Sequence, residues 1–306
     1  MRLSTSDDIR HVQIEGQVTL DDRMLKDLQK TLLEMLNDIQ DVCEEEGIRY
    51  VLCGGTALGA YRHKGFIPWD DDIDVMMPRP DYDRFIAAFA KKQSSKYWIH
   101  IPGVTDDYAL LFTHIRLKGT SVKTRDDMNT DECGACIDVF PVENIYDNKI
   151  ARFFQGLGCD WRSFMISCRK FYRDREFLTD LAEKSGNGGL KFKTKIRIFI
   201  GRILKNKNIK GMAQKADRRN SKLKDKTTTL VSIPTGRRHF WGEIYSPKTV
   251  CDGKPLEFEG RFRLCPAGIE EYLGKLYGDY LTIPPESDRE KHIYFKPFFL
   301  KGGDGK

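Results

Sequence analysis

Residues Trp69-Asp70-Asp71-Asp72-Ile73-Asp74-Val75 set four acids among apolar neighbours. Read as a strand, the stretch puts Asp72 and Asp74 on one face, about 6 to 7 Å apart along the chain, with Ile73 and Val75 turned into the core. Like charges repel by about 4 kcal/mol at 4 Å in an effective dielectric of 20. A structural role leaves the pair uncompensated, whereas Mg²⁺ or Mn²⁺ between the carboxylates removes the problem. The ordinary alternative is a solvated acidic turn, and the interleaved apolar residues argue against it. Cys136-Ile137-Asp138-Val139-Phe140-Pro141-Val142 repeats the design with one acid. A lone carboxylate in such a strand needs a cation or a strong donor, so Asp138 is the natural third member.

These acids need elements to bring them together. Ile48 to Cys53 has strand character and stops at Gly54-Gly55-Thr56, where the small residues Ala57-Leu58-Gly59-Ala60 begin a helix. Backbone N–H groups at such a helix start can face an anion: the glycines let the main chain approach a phosphate, and Thr56 can cap the helix or donate its hydroxyl. A Gly-Gly pair by itself more often makes only a bend. Arg79 follows the acidic strand with Pro80 in the first turn of a second helix, and its guanidinium either holds a diphosphate oxygen or balances the acids. Residues 97–102 and 109–118 read as strands. The second places His114, Arg116 and Lys118 on one face, a basic row suited to a nucleotide phosphate or simply a charged outer face.

The wording of three blocks is more specific. CGGTALGAYRHKGFIPWDDDIDVMMPRPDYDRF, CIDVFPV and LEFEGRFRLCPAGIEEYLGKLYGDYLTIPP, within residues 48–142 and 240–292, resemble the LicD family of bacterial phosphocholine transferases, related to fukutin and the fukutin-related protein, in the nucleotidyltransferase superfamily. The resemblance does not cover the middle of the chain. It implies an α+β fold: a nucleotidyltransferase-like mixed sheet core flanked by helices, with a helical insertion and a C-terminal β-hairpin and helix cap. It also implies metal-dependent transfer of a phospho-alcohol from a CDP-linked donor, CDP-choline or a related CDP-alcohol, to a sugar hydroxyl, with release of CMP. Carried over by position, Asp72, Asp74 and Asp138 are the metal carboxylates, and Gly54, Gly55 and Thr56 hold phosphate. The same region near the C-terminus closes over the site in the family, which makes Tyr277, Asp279, Tyr280 and His292 candidates for donor or acceptor contacts, or equally packing and turn residues. Asp71 joins them as a substrate-binding candidate beside the metal acids. A choline ammonium would sit against aromatic faces, and Trp69, next to the acids, is the first choice unless it only anchors the strand.

The chain has 306 residues, 40% of them hydrophobic, enough for a sizeable core. Residues 1–148 read as the catalytic core with an N-terminal helix, 149–226 as a basic helical region and 227–306 as a segment completing the catalytic unit. Leu25, Leu28, Leu32, Met35, Leu36, Ile39 and Cys43 recur at helical spacing, so 20–46 is a long amphipathic helix ending at Gly47. Glu44-Glu45-Glu46 stands at the unfavourable end of its dipole, which implies fraying or a basic neighbour. Ser185-Gly-Asn-Gly-Gly breaks the helices of the middle region. In residues 191–207, Phe192, Ile196, Phe199, Ile200, Ile203 and Leu204 form an apolar stripe among lysines and arginines, suited to a membrane interface or to covering the sheet. Leu256 to Leu264 reads as a hairpin about Gly260, and Gly268 to Tyr277 as a short helix.

Eight cysteines at irregular spacing suit reduced core thiols; Cys133 and Cys136 could form half a zinc site or a redox pair, but no second pair completes it. The polar N-terminus has no apolar h-region and no stretch supports a transmembrane helix, so a cytoplasmic location is expected, at the inner face of the plasma membrane if 191–207 docks there. The expected acceptor is a lipid-linked cell-surface glycan precursor, such as a teichoic acid or lipopolysaccharide repeat, and no nucleic acid is expected as a partner. Three rivals stay open: a true nucleotidyltransferase using a nucleoside triphosphate, a relative that moves ribitol, glycerol or ethanolamine phosphate, and a non-catalytic membrane-surface or nucleic-acid-binding module that uses the Lys-rich middle and whose salt-sensitive binding survives loss of the three acids.

Overall fold

The computed structural model describes residues 17–289 and 292–300. The N-terminal residues 1–16, read above as lacking a secretion signal, lie outside the described residues. After the short strand β1 (Gln17–Val18), helix α1 (Asp22–Glu46) starts where Asp21 accepts a hydrogen bond from the Met24 N–H and stops at Gly47, whose φ of 59° suits glycine. Its Leu28, Leu32, Met35, Leu36, Ile39 and Cys43 are buried as expected, Val42 joins them, and Leu25, also expected, is half-buried. The three glutamates at its end do have a basic neighbour. Lys92 pairs with Glu45 and Glu46 at 2.6 Å each, and Arg84 donates to the Glu46 carbonyl at 2.6 Å.

Strand β2 (Val51–Leu52) leads into α2 (Gly54–His63), and a loop then carries the acidic stretch to β3 (Asp74–Pro78) and α3 (Arg79–Gln93). Strands β4 (Tyr97–His100), β5 (Thr113–Leu117), β6 (Ser121–Thr124) and β7 (Cys136–Asn144) follow. Helices α4 (Lys149–Arg173), α5 (Arg175–Lys184), α6 (Gly188–Ile203) and α7 (Ile209–Asn220) fill the middle of the chain. The last part comprises β8 (Val231–Ser232), α8 (His239–Gly242), β9 (Ile244–Tyr245), α9 (Pro247–Val250), the hairpin β10 (Gly253–Phe258) and β11 (Arg261–Pro266), α10 (Ile269–Tyr277) and β12 (Tyr294–Phe299).

The main sheet runs β2-β3-β7-β5-β4, with β8 and β9 added beside β7. It is mixed: β3 and β7 are parallel, which α3, β4 and β5 between them allow, and the other pairs are antiparallel. A second sheet joins the chain's two ends, in the order β1-β12-β6. At the hairpin, Glu259 (φ 50°) and Gly260 (φ 74°) make the two-residue turn. Glu259 then accepts from the Phe66 N–H at 3.0 Å, so the hairpin tip holds the loop after α2. Three expected strands are shorter than their sequence patterns. Residues 109–112 and 101–102 lie outside strands, and only Asp74 of the acidic run is in one. Asp72 therefore owes its place to the loop, and its separation from Asp74 is not set by strand pitch.

Candidate active site

Register across three strands brings the chemistry together. Asp74, the first residue of β3, pairs with Asp138 of β7, and Asp138 pairs on its other side with His114 of β5. Side chains at paired positions share a face. His114 Nε2 lies 3.1 Å from Asp138 Oδ1. Behind it, the buried Arg116 donates through Nη2 to His114 Nδ1 at 3.1 Å and to Asp127 Oδ1 at 2.8 Å, and through Nη1 to the Gly134 carbonyl at 3.2 Å. An arginine can only donate, so His114 Nδ1 accepts and Nε2 keeps the proton that faces Asp138. Burial pushes the Asp138 carboxyl up, but His114, facing it at 3.1 Å, and the nearby Arg116 outweigh it and leave Asp138 below the usual carboxylate range.

Asp74 is the opposite case. Burial, followed by the charges of Asp72, Asp138 and Asp70, holds its carboxyl well above the usual range. It lies against the start of α2. A Cβ on Gly54 would come within 2.6 Å of Asp74 Oδ2, and one on Gly55 within 2.8 Å of Asp70 Oδ2. The glycines therefore make room for carboxylates at the positive end of a helix. The Gly54 N–H already donates to the Tyr272 hydroxyl at 2.9 Å. Thr56 is buried below, its hydroxyl accepting from the Asp74 N–H at 2.9 Å, and this ties α2 to β3.

The far end of the chain closes the site. His292 donates its backbone N–H to Asp71 Oδ2 at 3.1 Å, its Nδ1 lies 2.8 Å from Asp71 Oδ1, and its Nε2 is 3.8 Å from Asp72 Oδ2. Burial pushes the Asp71 carboxyl up, and His292 pulls it further down, to a net value below the usual range. Desolvation lowers His292, yet Asp71 and then Asp72 and Asp138 raise it well above an ordinary histidine.

A cavity of about 460 Å³ joins these groups. Of the residues expected from sequence, Gly54, Gly55, Asp71, Asp72, Asp74, Arg116, Asp138 and His292 line it, as does Tyr277. The others are placed elsewhere. Arg79 comes after the last residue of β3, about 16 Å along the strand from Asp74. It is buried in ion pairs with Asp83 (2.9 Å), Glu143 (2.9 Å) and Asp217 (2.7 Å), so of its two expected roles the guanidinium balances acids, though not those of the acidic run. Trp69 is covered by the Arg289 guanidinium, 4.2 Å from its ring centre, in place of an open ammonium face. Tyr280 sets its ring edge-on to Tyr61 at 5.8 Å, and its carbonyl accepts from Arg62. Asp279 bonds Thr282, and Lys118 donates to the Ser94 carbonyl.

The cavity also contains Asp70, Arg125, Asp126, Arg237, Glu243 and Tyr294. Asp70 was visible in the acidic run; Arg237 and Glu243 sit in a connecting segment with no pattern to mark them. Cys133 and Cys136 do not act as a pair. Cys133 is buried against Ser121, whereas the Cys136 thiol donates to Asp138 Oδ1 at 3.4 Å, and its ligand-forming neighbours are His114 and Asp138. Among the described residues, two groups bring three ligand atoms within 4.8 Å of one another: His114, Cys136 and Asp138, and Asp71, Asp72 and His292. Of the expected trio, Asp138 belongs to the first group, Asp72 to the second and Asp74 to neither, so the three do not converge that tightly. The acids nonetheless fit a divalent cation, because Asp74 is buried among three further carboxylates whose repulsion a cation would remove.

A model of the LicD/FKTN/FKRP nucleotidyltransferase domain matches residues 47–167, the part that contributes α2, β3, β5 and β7 to this site. The lipopolysaccharide cholinephosphotransferase LicD of Haemophilus influenzae is 31% identical over 283 residues, covering 90% of this chain and 98% of that protein. The human ribitol 5-phosphate transferase FKRP is 46% identical over 46 residues, 15% of this chain and 9% of its own. An uncharacterized protein of Rickettsia prowazekii, RP689, is 34% identical over 70 residues, 21% of this chain and 26% of its own.

Proposed function

Because this chain belongs to the LicD family of phosphotransferases, we propose that it moves phosphocholine from CDP-choline to a sugar hydroxyl of a lipid-linked, cell-surface glycan precursor, releasing CMP. The observation that supports this reading best is the row of Asp74, Asp138 and His114 across three adjacent strands, facing a cavity that the chain's C-terminal part closes. Asp72, Asp74 and Asp138 would hold Mg²⁺ or Mn²⁺, which when bound neutralises charge on the donor diphosphate.

The chain's own residues do the rest. Arg116 fixes the ring of His114, and His114 keeps Asp138 ionised, fit to share the cation or to accept the proton of the sugar hydroxyl. Arg125 and Arg237 face the cavity and offer guanidinium groups to phosphate oxygens. Gly54 and Gly55 bring the helix start against Asp74 and Asp70, so the phosphate-holding role expected of them is exerted next to the acids. The stacked pair Phe112 and Phe140 supplies aromatic surface at the cavity, which Trp69, under the Arg289 guanidinium, does not leave open.

Thermal unfolding in the presence of CDP-choline, CDP-ethanolamine, CDP-glycerol, CDP-ribitol or CTP, with and without Mg²⁺, tests the proposal. A ligand at 100 times its dissociation constant stabilises by about 2.7 kcal/mol. The expected result is a Mg²⁺-dependent shift with CDP-choline that disappears in Asp74→Asn. That variant should also lose turnover and, in EDTA, melt higher than wild type, since it removes a carboxyl whose ionisation the fold disfavours. A response to CDP-ribitol alone would transfer the proposal to the chemistry of the FKRP relatives, and a response to CTP alone would replace it with nucleotidyl transfer.

A further inference from the structure

Helix α4 is turned inside out relative to a soluble surface helix. It packs inward through Gly156, Cys159, Ile166 and Cys168 and leaves Ile150, Phe153, Phe154, Leu157 and Trp161 outside, with Phe154 65% and Trp161 60% exposed. The outward residues fall at i, i+3, i+4, i+7 and i+11, one stripe about 16 Å long. Trp241 of α8 extends it. Phe240 and Trp241 pack on Gly156, where any Cβ would collide with both rings, and Trp241 lies 5.8 Å from the ring of Phe153. Helix α6 repeats the inversion: it buries Leu190, Thr194, Arg197 and Gly201 and exposes Phe192, Phe199 and Ile203. Apolar surface on this scale on a folded chain marks a contact site.

Charge indicates what the contact is. Residues 149–226 hold 22 lysines and arginines against 7 aspartates and glutamates, a net +15, while the remainder of the chain is at −9. An isologous contact with a second copy would set +15 against +15. Large aromatic and aliphatic side chains framed by cations are instead complementary to the interfacial layer of an anionic bilayer. Among the described residues no helix is long and apolar enough to cross a membrane, so the contact lies in the interface plane. The segment 233–243 links this face to the active site: Ile233, Gly236, Arg237 and Glu243 line the cavity, and Trp241 stands on the face.

We propose that the outward stripe of α4 with Trp241, assisted by that of α6, docks the protein on anionic phospholipid and so presents the cavity to an acceptor held at the bilayer. The docking stands on exposure and charge alone; only its link to the acceptor rests on the function proposed above.

Flotation of the full chain with phosphatidylcholine vesicles, with or without phosphatidylglycerol, tests docking with no donor present, so its outcome is separate from that of the transferase reading. Wild type should float with the anionic vesicles, less as salt rises, with a blue shift of tryptophan emission. Phe154→Glu/Leu157→Glu should weaken binding about a hundredfold, since each of the two side chains loses about 1.4 kcal/mol of burial or more. Phe199→Glu/Ile203→Glu should weaken it less, and both variants should keep the wild-type melting temperature because these positions are exposed. Absence of wild-type flotation, equal flotation of the first variant, or a lipid-free dimer that the first variant dissociates would each overturn the proposal.

Discussion

Asp74 sits where burial, and then three carboxylates of its own chain, raise its proton affinity, and where Gly54 has no side chain to meet its Oδ2. Asp138, one strand away, is held ionised because a histidine, itself positioned by a buried arginine, faces it. Two carboxylates of like sequence setting thus differ in protonation through their neighbours. Arg79 makes the same point for a cation. It was a candidate for phosphate because it follows the acidic run, but its guanidinium joins α3, β7 and α7 through Asp83, Glu143 and Asp217. Arg79→Ala should therefore lower stability by about 3 kcal/mol in urea unfolding, by leaving the buried Glu143 unpaired, and leave the donor's dissociation constant unchanged in the folded fraction. A large loss of affinity without loss of stability would return Arg79 to the donor site.

At the scale of elements, the site depends on how closely α2 meets β3. The Thr56 hydroxyl and the Tyr272 contact to Gly54 hold the helix start, and the absence of a Cβ at Gly54 allows the approach. Gly54 also has φ 55°, where a side chain is strained. Gly54→Ala is expected to cost about 1–3 kcal/mol in unfolding measurements and to abolish the Mg²⁺-dependent thermal response, because the methyl group displaces the Asp74 carboxylate. A variant that kept this response would mean that Asp74 need not lie against α2. The helix 20–46, the turn at Gly54 and the hairpin about Gly260 were legible because periodicity, caps and turn residues are local signals. The extent of the strands was not, since β2 pairs through Val51 and Leu52 alone and β4 only opposite His114 to Leu117, a choice made by the neighbouring strand and not by the run itself.

For the whole molecule, the C-terminal part is what turns a sheet edge into a cavity. Tyr272, Tyr277, His292 and Tyr294 reach acids more than 180 residues earlier in the chain, and β12 is held between β1 and β6. Glu243 belongs to this closure. It is 1% exposed, and burial, opposed by the Arg238 N–H and the charges of Arg237 and Arg238, pushes its carboxyl from 4.5 up to about 7. A raised carboxyl binds more protons in the folded than in the unfolded state between these values. Its stabilisation is thus complete below about 4.5 and is lost as pH rises through 7, a change of about 3 kcal/mol. Unfolding of wild type and Glu243→Gln from pH 5 to 8.5 should show the wild type losing stability relative to the variant as pH rises; parallel curves would remove Glu243 as the cause.

Residue type and order along the chain marked the acids at 72, 74 and 138 as candidates, and local patterns determined the glycine turn before them, the long capped helix and the basic middle region. All of these are readable because each is a contiguous pattern with a local physical cause. Tertiary structure decided which of the candidates meet. Strand register set Asp74 beside Asp138 and His114, strand length carried Arg79 to the opposite end of β3, and the return of the chain put His292 on Asp71. It also decided which way an amphipathic helix faces. The stripe of α6 reads the same whether turned in or out, and close contact at Gly201 with α4 turned it out. Long-range partners are chosen by packing across the whole core, and no local run of residues encodes that choice.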